Sequence, residues 1–278
     1  MRTGRIQRGI EWRLRSAQTN VQNGMQLLGW RRNQRFALAS VGEELPVVFC
    51  TWVRLERLPQ MLELLAAQDV PVQAVIWNNS PDRQTVDDAA ARASVDVTVF
   101  HSPRNVGGFG RFYLARELRE QGHKAAVFID DDHDFGPSMV RELQAQHRPE
   151  SMSGWWAYCF RDGLDYPERE RVPVGAPAMY LGTGGMIVDT EVFLDPRVFR
   201  CPRRFWFVED LWLSYVAGHL HGWQVFRSRG QFDAVADGRD LYLRLGRTKS
   251  RFLRYLLRRG WDTSGCETRG SGRGVDPV

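Results

Sequence analysis

From Pro46 to Ile129 the chain alternates short, continuously apolar runs with amphipathic stretches. Residues 47–51, 72–77, 95–100 and 125–129 read as strands, and 55–68, 85–93 and 112–121 as the helices between them. This alternation leaves few architectures open. Each strand is reached through a crossover helix, so the strands should lie parallel, with helices on both faces and ligands in the crevice beyond the strands' carboxyl ends. The expected fold class is α/β, with a Rossmann-like, mostly parallel central sheet.

Polar residues collect where that crevice should be. Thr51 and Arg54 follow the first strand, Asn78 and Asn79 the second, the loop Arg104-Asn105-Val106-Gly107-Gly108 the third, and Asp130-Asp131-Asp132 the fourth. Three adjacent carboxylates repel one another and fit badly beside a buried strand end unless something positive compensates them. A hard divalent cation such as Mg²⁺ or Mn²⁺ suits oxygen ligands of this kind. In an extended segment Asp130 and Asp132 project to the same side, so this Asp-x-Asp pair can share one ion. An exposed acidic turn is the plain alternative.

Beyond residue 150 the pattern loosens. Residues 155–160 form a candidate strand, 164–177 a polar loop, 179–188 a strand interrupted by glycines, 207–221 a helix and 223–227 an extended segment. The expected organisation is a basic helical N-terminal extension over 1–45, a main domain over 46–238, a basic amphipathic helix over 239–262 and a loose tail over 263–278. Charge follows the same division. Residues 1–35 carry eight arginines and one acid, 239–261 eight basic residues and one acid, whereas 36–238 hold 20 basic and 28 acidic residues. Basic ends on an acidic middle suit contact with a nucleic acid or an anionic membrane surface, although a coding preference for Arg gives the same counts. Only Lys124 and Lys249 are lysines.

No apolar run approaches the roughly 18 residues that span a bilayer, and the N-terminus lacks a signal-like apolar core. A cytoplasmic protein, peripheral to a membrane at most, is expected. Cys50, Cys159, Cys201 and Cys266 are widely spaced, which suggests four reduced thiols and no zinc knuckle.

A second acidic centre lies in Phe205-Trp206-Phe207-Val208-Glu209-Asp210-Leu211-Trp212. Two acids at a helix start can be helix-dipole partners, but apolar surroundings also raise carboxylate proton affinity and create a usable general base.

Taken in order, Thr51-x-x-Arg54, Asn78-Asn79-Ser80, Asn105-Val106-Gly107-Gly108-Phe109-Gly110, Asp130-Asp131-Asp132, Gly182-Thr183-Gly184-Gly185-Met186 and Val208-Glu209-Asp210 resemble the family 2 glycosyltransferases of the GT-A fold. The resemblance spans about residues 46–235. It implies an inverting transfer of a hexose-type sugar from a nucleotide-sugar donor to an acceptor hydroxyl. Asp130 and Asp132 would hold Mn²⁺ or Mg²⁺ on the donor diphosphate, and Asp131 would contact the donor ribose or sugar. Thr51, Arg54, Asn79, Asn105, Gly107, Gly108 and Arg111 match positions near the donor nucleotide, although Arg111 sits closer to the glycines than the family's arginine does. Asp210 would deprotonate the acceptor, with Glu209 orienting it or binding the acceptor.

Gly184 and Gly185 leave room for a sugar against the backbone, and Trp206 and Trp212, with Trp155 and Trp156, offer faces on which an acceptor sugar can stack or which the core can absorb. Many relatives add a late histidine as third metal ligand. Here Gln231-Phe232-Asp233 stands in that place, which makes Asp233 the substitute, while the overlapping Asp132-His133-Asp134 also has ligand spacing. The acceptor stays open between a saccharide, a lipid-linked glycan, a protein and modified DNA. Rival readings are a nucleic-acid-binding protein and a sugar nucleotidyltransferase. The latter needs a glycine-rich loop with Arg and Lys directly after the first strand, where Thr51-Trp52-Val53-Arg54 stands instead.

Overall fold

The computed structural model describes residues 17–18, 21–22, 24–25, 27–31, 34–160, 165–230, 232–235 and 241–262. The alternating first half folds as the periodicity dictates: β1 (Leu45–Thr51), α1 (Leu58–Ala66), β2 (Val72–Asn78), α2 (Arg83–Arg92), β3 (Asp96–His101), α3 (Gly110–Glu120) and β4 (Ala125–Phe128). There follow β5 (His133–Phe135), α4 (Met139–Gln144), β6 (Ser151–Gly154), β7 (Ala157–Phe160), β8 (Arg169–Arg171), β9 (Tyr180–Leu181) and β10 (Met186–Asp189). The chain continues with α5 (Glu209–Ser214), β11 (Gln224–Arg227), β12 (Phe232–Ala234) and α6 (Leu241–Leu257).

Seven strands form the main sheet in the order β11-β6-β10-β4-β1-β2-β3, and only β10 runs against the others. Successive residues of β1 face opposite sides. Val47 and Phe49 join α1, α2 and α4 in one apolar layer, while Val48 faces the layer containing α3, α5 and α6. This is the expected mixed sheet, mostly parallel and flanked by helices, and it brings the carboxyl ends of β1, β2, β3 and β4 to one edge.

Several elements depart from the sequence pattern for physical reasons. Strand β6, Ser-Met-Ser-Gly, carries no apolar run, yet its four residues are buried because β10 and β11 pair with it on both sides. Strands β5 and β12 pair with each other in a separate two-stranded sheet, another pairing without a local signal. The helix expected over 207–221 is instead a 3₁₀ turn over Arg203–Val208, α5, and a wider π turn over Tyr215–Leu220.

The terminal segments are partly built into the body. About half of the expected N-terminal helical extension, chiefly residues 1–16, and the tail 263–278 lie outside the described residues. Of the former, Leu27 and Trp30 are buried, and Trp30 packs with Phe36, Trp77 and Tyr113 while its Nε1 donates to Tyr113 Oη at 3.1 Å. On α6, Leu245, Phe252, Leu253 and Leu256 are buried, and Phe252 stacks on Phe205 with ring centres 4.1 Å apart. The apolar side of this helix therefore packs on the domain. Arg247, Arg251 and Arg254 remain exposed on its other side. Cys159 is disulfide-bonded, while Cys50 and Cys201 stay as thiols, which corrects the expectation of four reduced thiols. No described helix is long and apolar enough to cross a membrane.

Candidate active site

Because β4 ends at Phe128, the aspartates emerge directly at the crevice edge, next to the turn after β1. Arg54 Nη1 lies 3.4 Å from both Asp131 Oδ1 and Asp132 Oδ2. Arg57 donates from Nε to the Asp131 carbonyl at 3.2 Å and from Nη2 to Asp134 Oδ1 at 2.7 Å. Part of the positive charge that three acids demand thus comes from the protein itself. Crowding persists nonetheless. Burial, with the charge of Asp132 beside it, raises the Asp131 carboxyl to about 7 against the pull of Arg54. His133 Nδ1 approaches Asp132 Oδ1 at 3.0 Å, and the carboxylates around it hold the imidazole above its ordinary value despite burial.

Among the described residues, Asp130, Asp132 and His133 form the one group whose ligand atoms all lie within 4.8 Å of one another. Gly184 gives that group its room. A Cβ there would stand 2.6 Å from Asp130 Oδ2 and 3.0 Å from His133 Cε1. Two carboxylates and an imidazole fit a divalent transition ion better than Mg²⁺, which prefers oxygen alone.

The loop after β3 is held from below. Asn79 Oδ1 accepts from Trp77 Nε1 and Val106 N, both at 3.0 Å, and its Nδ2 donates to the Gly107 carbonyl at 3.1 Å. Asn105 Oδ1 accepts from Gly107 N at 2.7 Å. Gly107 has φ +64°, and a Cβ there would meet the Phe207 ring at 2.6 Å. Three buried polar atoms of these residues make no hydrogen bond: Thr51 Oγ1, Asn105 Nδ2 and Arg111 Nε. Buried polar atoms left unpaired need an explanation, and a polar ligand supplies one.

Arg111, on the first turn of α3, joins the two acidic centres. Its Nη2 donates to Asp130 Oδ1 at 2.8 Å, its Nη1 reaches the Thr183 carbonyl at 3.5 Å, and its Nε lies 4.0 Å from Glu209 Oε1. Glu209 is buried under Gly108, where a Cβ would overlap Oε1. Burial pushes its carboxyl up to about 7, although Arg111 opposes the shift. Asp210 faces the other way. Its Oδ1 accepts from Leu211 N at 2.9 Å, and its Oδ2 accepts from Tyr180 Oη and lies 3.4 Å from Lys249 Nζ. Cys50, near the same loop, has its thiol pushed up to about 12 by burial, which leaves it a poor nucleophile.

No family model matches the chain, and no curated protein matches it in sequence. Among solved structures, a mannosyltransferase from Pyrobaculum calidifontis, PcManGT, in complex with GDP-Man and Mn²⁺, superposes with a TM-score of 0.55 at 13% identity, over 92% of this chain and 74% of that one. The fold is a glycosyltransferase fold. S. aureus TarS 1-349 aligns with a TM-score of 0.49 at 16% identity over 69% of this chain and spans more, since this chain covers 60% of its length. The bifunctional glycosyltransferase WbbM aligns with a TM-score of 0.42 at 14% identity, over 66% of this chain and 39% of that one.

Within this glycosyltransferase fold, Thr51, Arg54, Asn105, Gly107, Gly108, Arg111, Asp130, Asp131, Asp132, Gly184 and Glu209 are gathered around the strand ends, whereas Asn79 acts through the loop it fastens. Asp233 lies on β12 opposite Asp134, outside the Asp130, Asp132 and His133 group. Gly185 has φ +86° and faces the Phe232 ring. Trp206 and Trp212 are core residues: Trp206 stacks on Phe109 at 4.6 Å and donates to the Cys201 carbonyl, and Trp212 packs on Phe252 and donates to the Val198 carbonyl. Their faces are covered, so neither can stack on a sugar. Trp156 is half-buried beside His133, 5.9 Å between ring centres, and Trp155 lies under Arg171 and Arg227. Sequence reasoning passed over Arg57, Tyr166, Tyr180 and Lys249. The first had a signal, its place in the turn after β1; the others act across the fold.

Proposed function

We propose that the protein is a metal-dependent, inverting glycosyltransferase of the family 2, GT-A type, moving a sugar from a nucleotide-sugar donor to an acceptor hydroxyl. One observation carries this reading: Arg111 ties a two-carboxylate, one-imidazole group to a second pair of buried acids at the carboxyl edge of a mostly parallel sheet. Asp130, Asp132 and His133 would hold Mn²⁺, or Mg²⁺ with less help from the imidazole, and Asp233 is the more distant candidate. A cation there supplies positive charge for the donor diphosphate and the departing nucleotide. Thr51, Asn105 and the backbone of Gly107 and Gly108 line the nucleotide side, and Arg54 and Arg111 fix the acids. Asp210 takes the proton of the acceptor hydroxyl as its oxygen attacks the anomeric carbon from the face opposite the leaving group, a direct displacement that inverts that centre. Glu209, wedged between Gly108 and Arg111, closes the floor of the site and is placed to bind the acceptor rather than to orient Asp210, which faces away from it.

The exposed arginines of α6 support contact with an anionic partner, either an anionic membrane surface or a nucleic acid. Such contact would be electrostatic, because the apolar side of the helix already packs inside the protein.

Calorimetry with Mn²⁺ and a panel of UDP-, GDP-, TDP- and CDP-linked sugars, followed by an assay of slow donor hydrolysis, tests the reading. Uptake of at least one donor that depends on Mn²⁺ is expected; none with any donor overturns it. Salt-sensitive DNA binding without donor turnover would favour the nucleic-acid-binding alternative.

A further inference from the structure

Asp210 is the meeting point of four elements that are distant in sequence. Tyr180, on β9, donates from Oη to Asp210 Oδ2. Tyr166, in the 3₁₀ turn Tyr166–Glu168, has its Oη 3.0 Å from Tyr180 Oη. Lys249, on α6, places Nζ 3.2 Å from Tyr166 Oη, 3.4 Å from Asp210 Oδ2 and 4.9 Å from the centre of the Tyr166 ring. Since Tyr180 donates to the carboxylate, Tyr166 must donate to Tyr180 and Lys249 to Tyr166. Every hydrogen in the ring points toward Asp210.

All four side chains are buried. A buried ammonium costs desolvation that a surface lysine avoids, and an ion pair of this kind is seldom the most stable way to fill the space. Residue choice bears on the same point. The chain uses arginine for nearly every cation and lysine only at positions 124 and 249, and Lys124 is exposed. A compact ammonium with three rotatable donors can reach a hydroxyl and a carboxylate together, whereas a planar guanidinium imposes its own fork geometry. Thr248 and Ser250, on either side of Lys249, are buried as well, so α6 presents a polar patch to the domain within an otherwise apolar contact.

We propose that α6 completes the active site: Lys249, with Tyr166 and Tyr180, is a positioning residue that holds Asp210 Oδ2 and so turns the free lone pair of Oδ1 toward the acceptor hydroxyl. This rests on the reading of Asp210 as the base. The proton goes from the acceptor to Oδ1, the new bond forms to the anomeric carbon, and the nucleotide leaves with the electron pair of the broken C–O bond. Lys249 acts only as a hydrogen-bond donor in this step and passes no proton on. The helix that by sequence is a basic appendage thereby becomes a part that the transfer requires.

Donor hydrolysis with Mn²⁺ and the nucleotide sugar that binds in calorimetry separates positioning from a structural latch. Lys249→Met and Tyr180→Phe should each lower kcat at least about tenfold while the donor KM changes by less than about twofold, and Lys249→Arg should recover part of the loss. In an Asp210→Asn background, Lys249→Met should cause no further loss, because a positioning residue has nothing left to position. If Lys249→Met is too unstable to assay, Tyr180→Phe decides. Folded variants with wild-type kcat, or losses that multiply with that of Asp210→Asn, overturn the inference while the transferase reading stands. Wild-type activity in Asp210→Asn, or no hydrolysis of any donor by the wild type, overturns the base assignment or the transferase reading, and this inference with it.

Discussion

Asp130, Asp131 and Asp132 leave a strand end with side chains 34%, 17% and 25% exposed, and arginines touch them from the side. Glu209 and Asp210 start a helix with side chains only 7% and 11% exposed, one wedged against Gly108 and the other enclosed by two tyrosines and a lysine. The first centre is open on one side and its ligand atoms converge, an arrangement suited to something that comes and goes. The second is more deeply buried and its members diverge. Crowded acids therefore need not share a purpose: at the more exposed centre repulsion can be relieved by a cation, and at the more buried one the protein supplies most of the partners itself.

Variants at the two centres should break this contrast if it is wrong. The largest effect is expected for Asp132→Ala, which should weaken Mn²⁺-assisted donor binding roughly 100-fold or more in calorimetry, while Asp210→Asn keeps donor affinity and loses turnover. Equal losses of affinity in both would merge the centres into one.

Next comes Glu209→Gln. Because burial raises Glu209 from 4.5 to about 7, the folded protein binds this proton more tightly than the unfolded chain does. The stability it contributes is complete below about 4.5 and is lost as the pH rises through about 7, so the unfolding free energy of the variant should gain on that of the wild type by up to about 3 kcal/mol across that window. Denaturant titrations at several pH values measure the gap, and a constant difference would show that Glu209 is not strained by burial.

Glycine substitutions sharpen the comparison further. Gly108→Ala drives a methyl group into a buried carboxylate that cannot retreat and should cost about 1–3 kcal/mol in thermal unfolding. Gly184→Ala crowds Asp130, which is partly exposed and can yield, so its stability should fall by less than about 1 kcal/mol while Mn²⁺ affinity falls about tenfold. The smallest effect belongs to Arg254→Ala, on the exposed side of α6, which should change stability by no more than about 0.5 kcal/mol.

Much of the first centre is visible in the sequence because it depends on local rules. An apolar run ending in acids identifies β4 and the carboxylates that follow it together, and the same logic finds Thr51 and Arg54 after β1. His133 sits in the ligand-spaced Asp132-His133-Asp134, yet the better-signposted expectation was Asp233, since nothing in the spacing tells that the chain turns into β5 and pairs with β12. The second centre is only half visible. Apolar neighbours mark Glu209 and Asp210 as buried acids, but the same aromatic richness offered Trp206 and Trp212 as sugar platforms, and a one-dimensional pattern cannot say which face of a ring the core will cover.

By itself the amino-acid order determined the succession of strands and helices, the carboxyl edge at which polar groups gather, and the acids that stand there. These follow from hydrophobic period and chain direction, which are properties of neighbours in sequence. Tertiary structure alone decided that Arg111 would link Asp130 to Glu209, and that Tyr180 and Lys249 would reach Asp210 from 30 and 39 residues away. Contacts at such separations depend on how packed layers bring side chains into register, and no periodicity along the chain records that outcome.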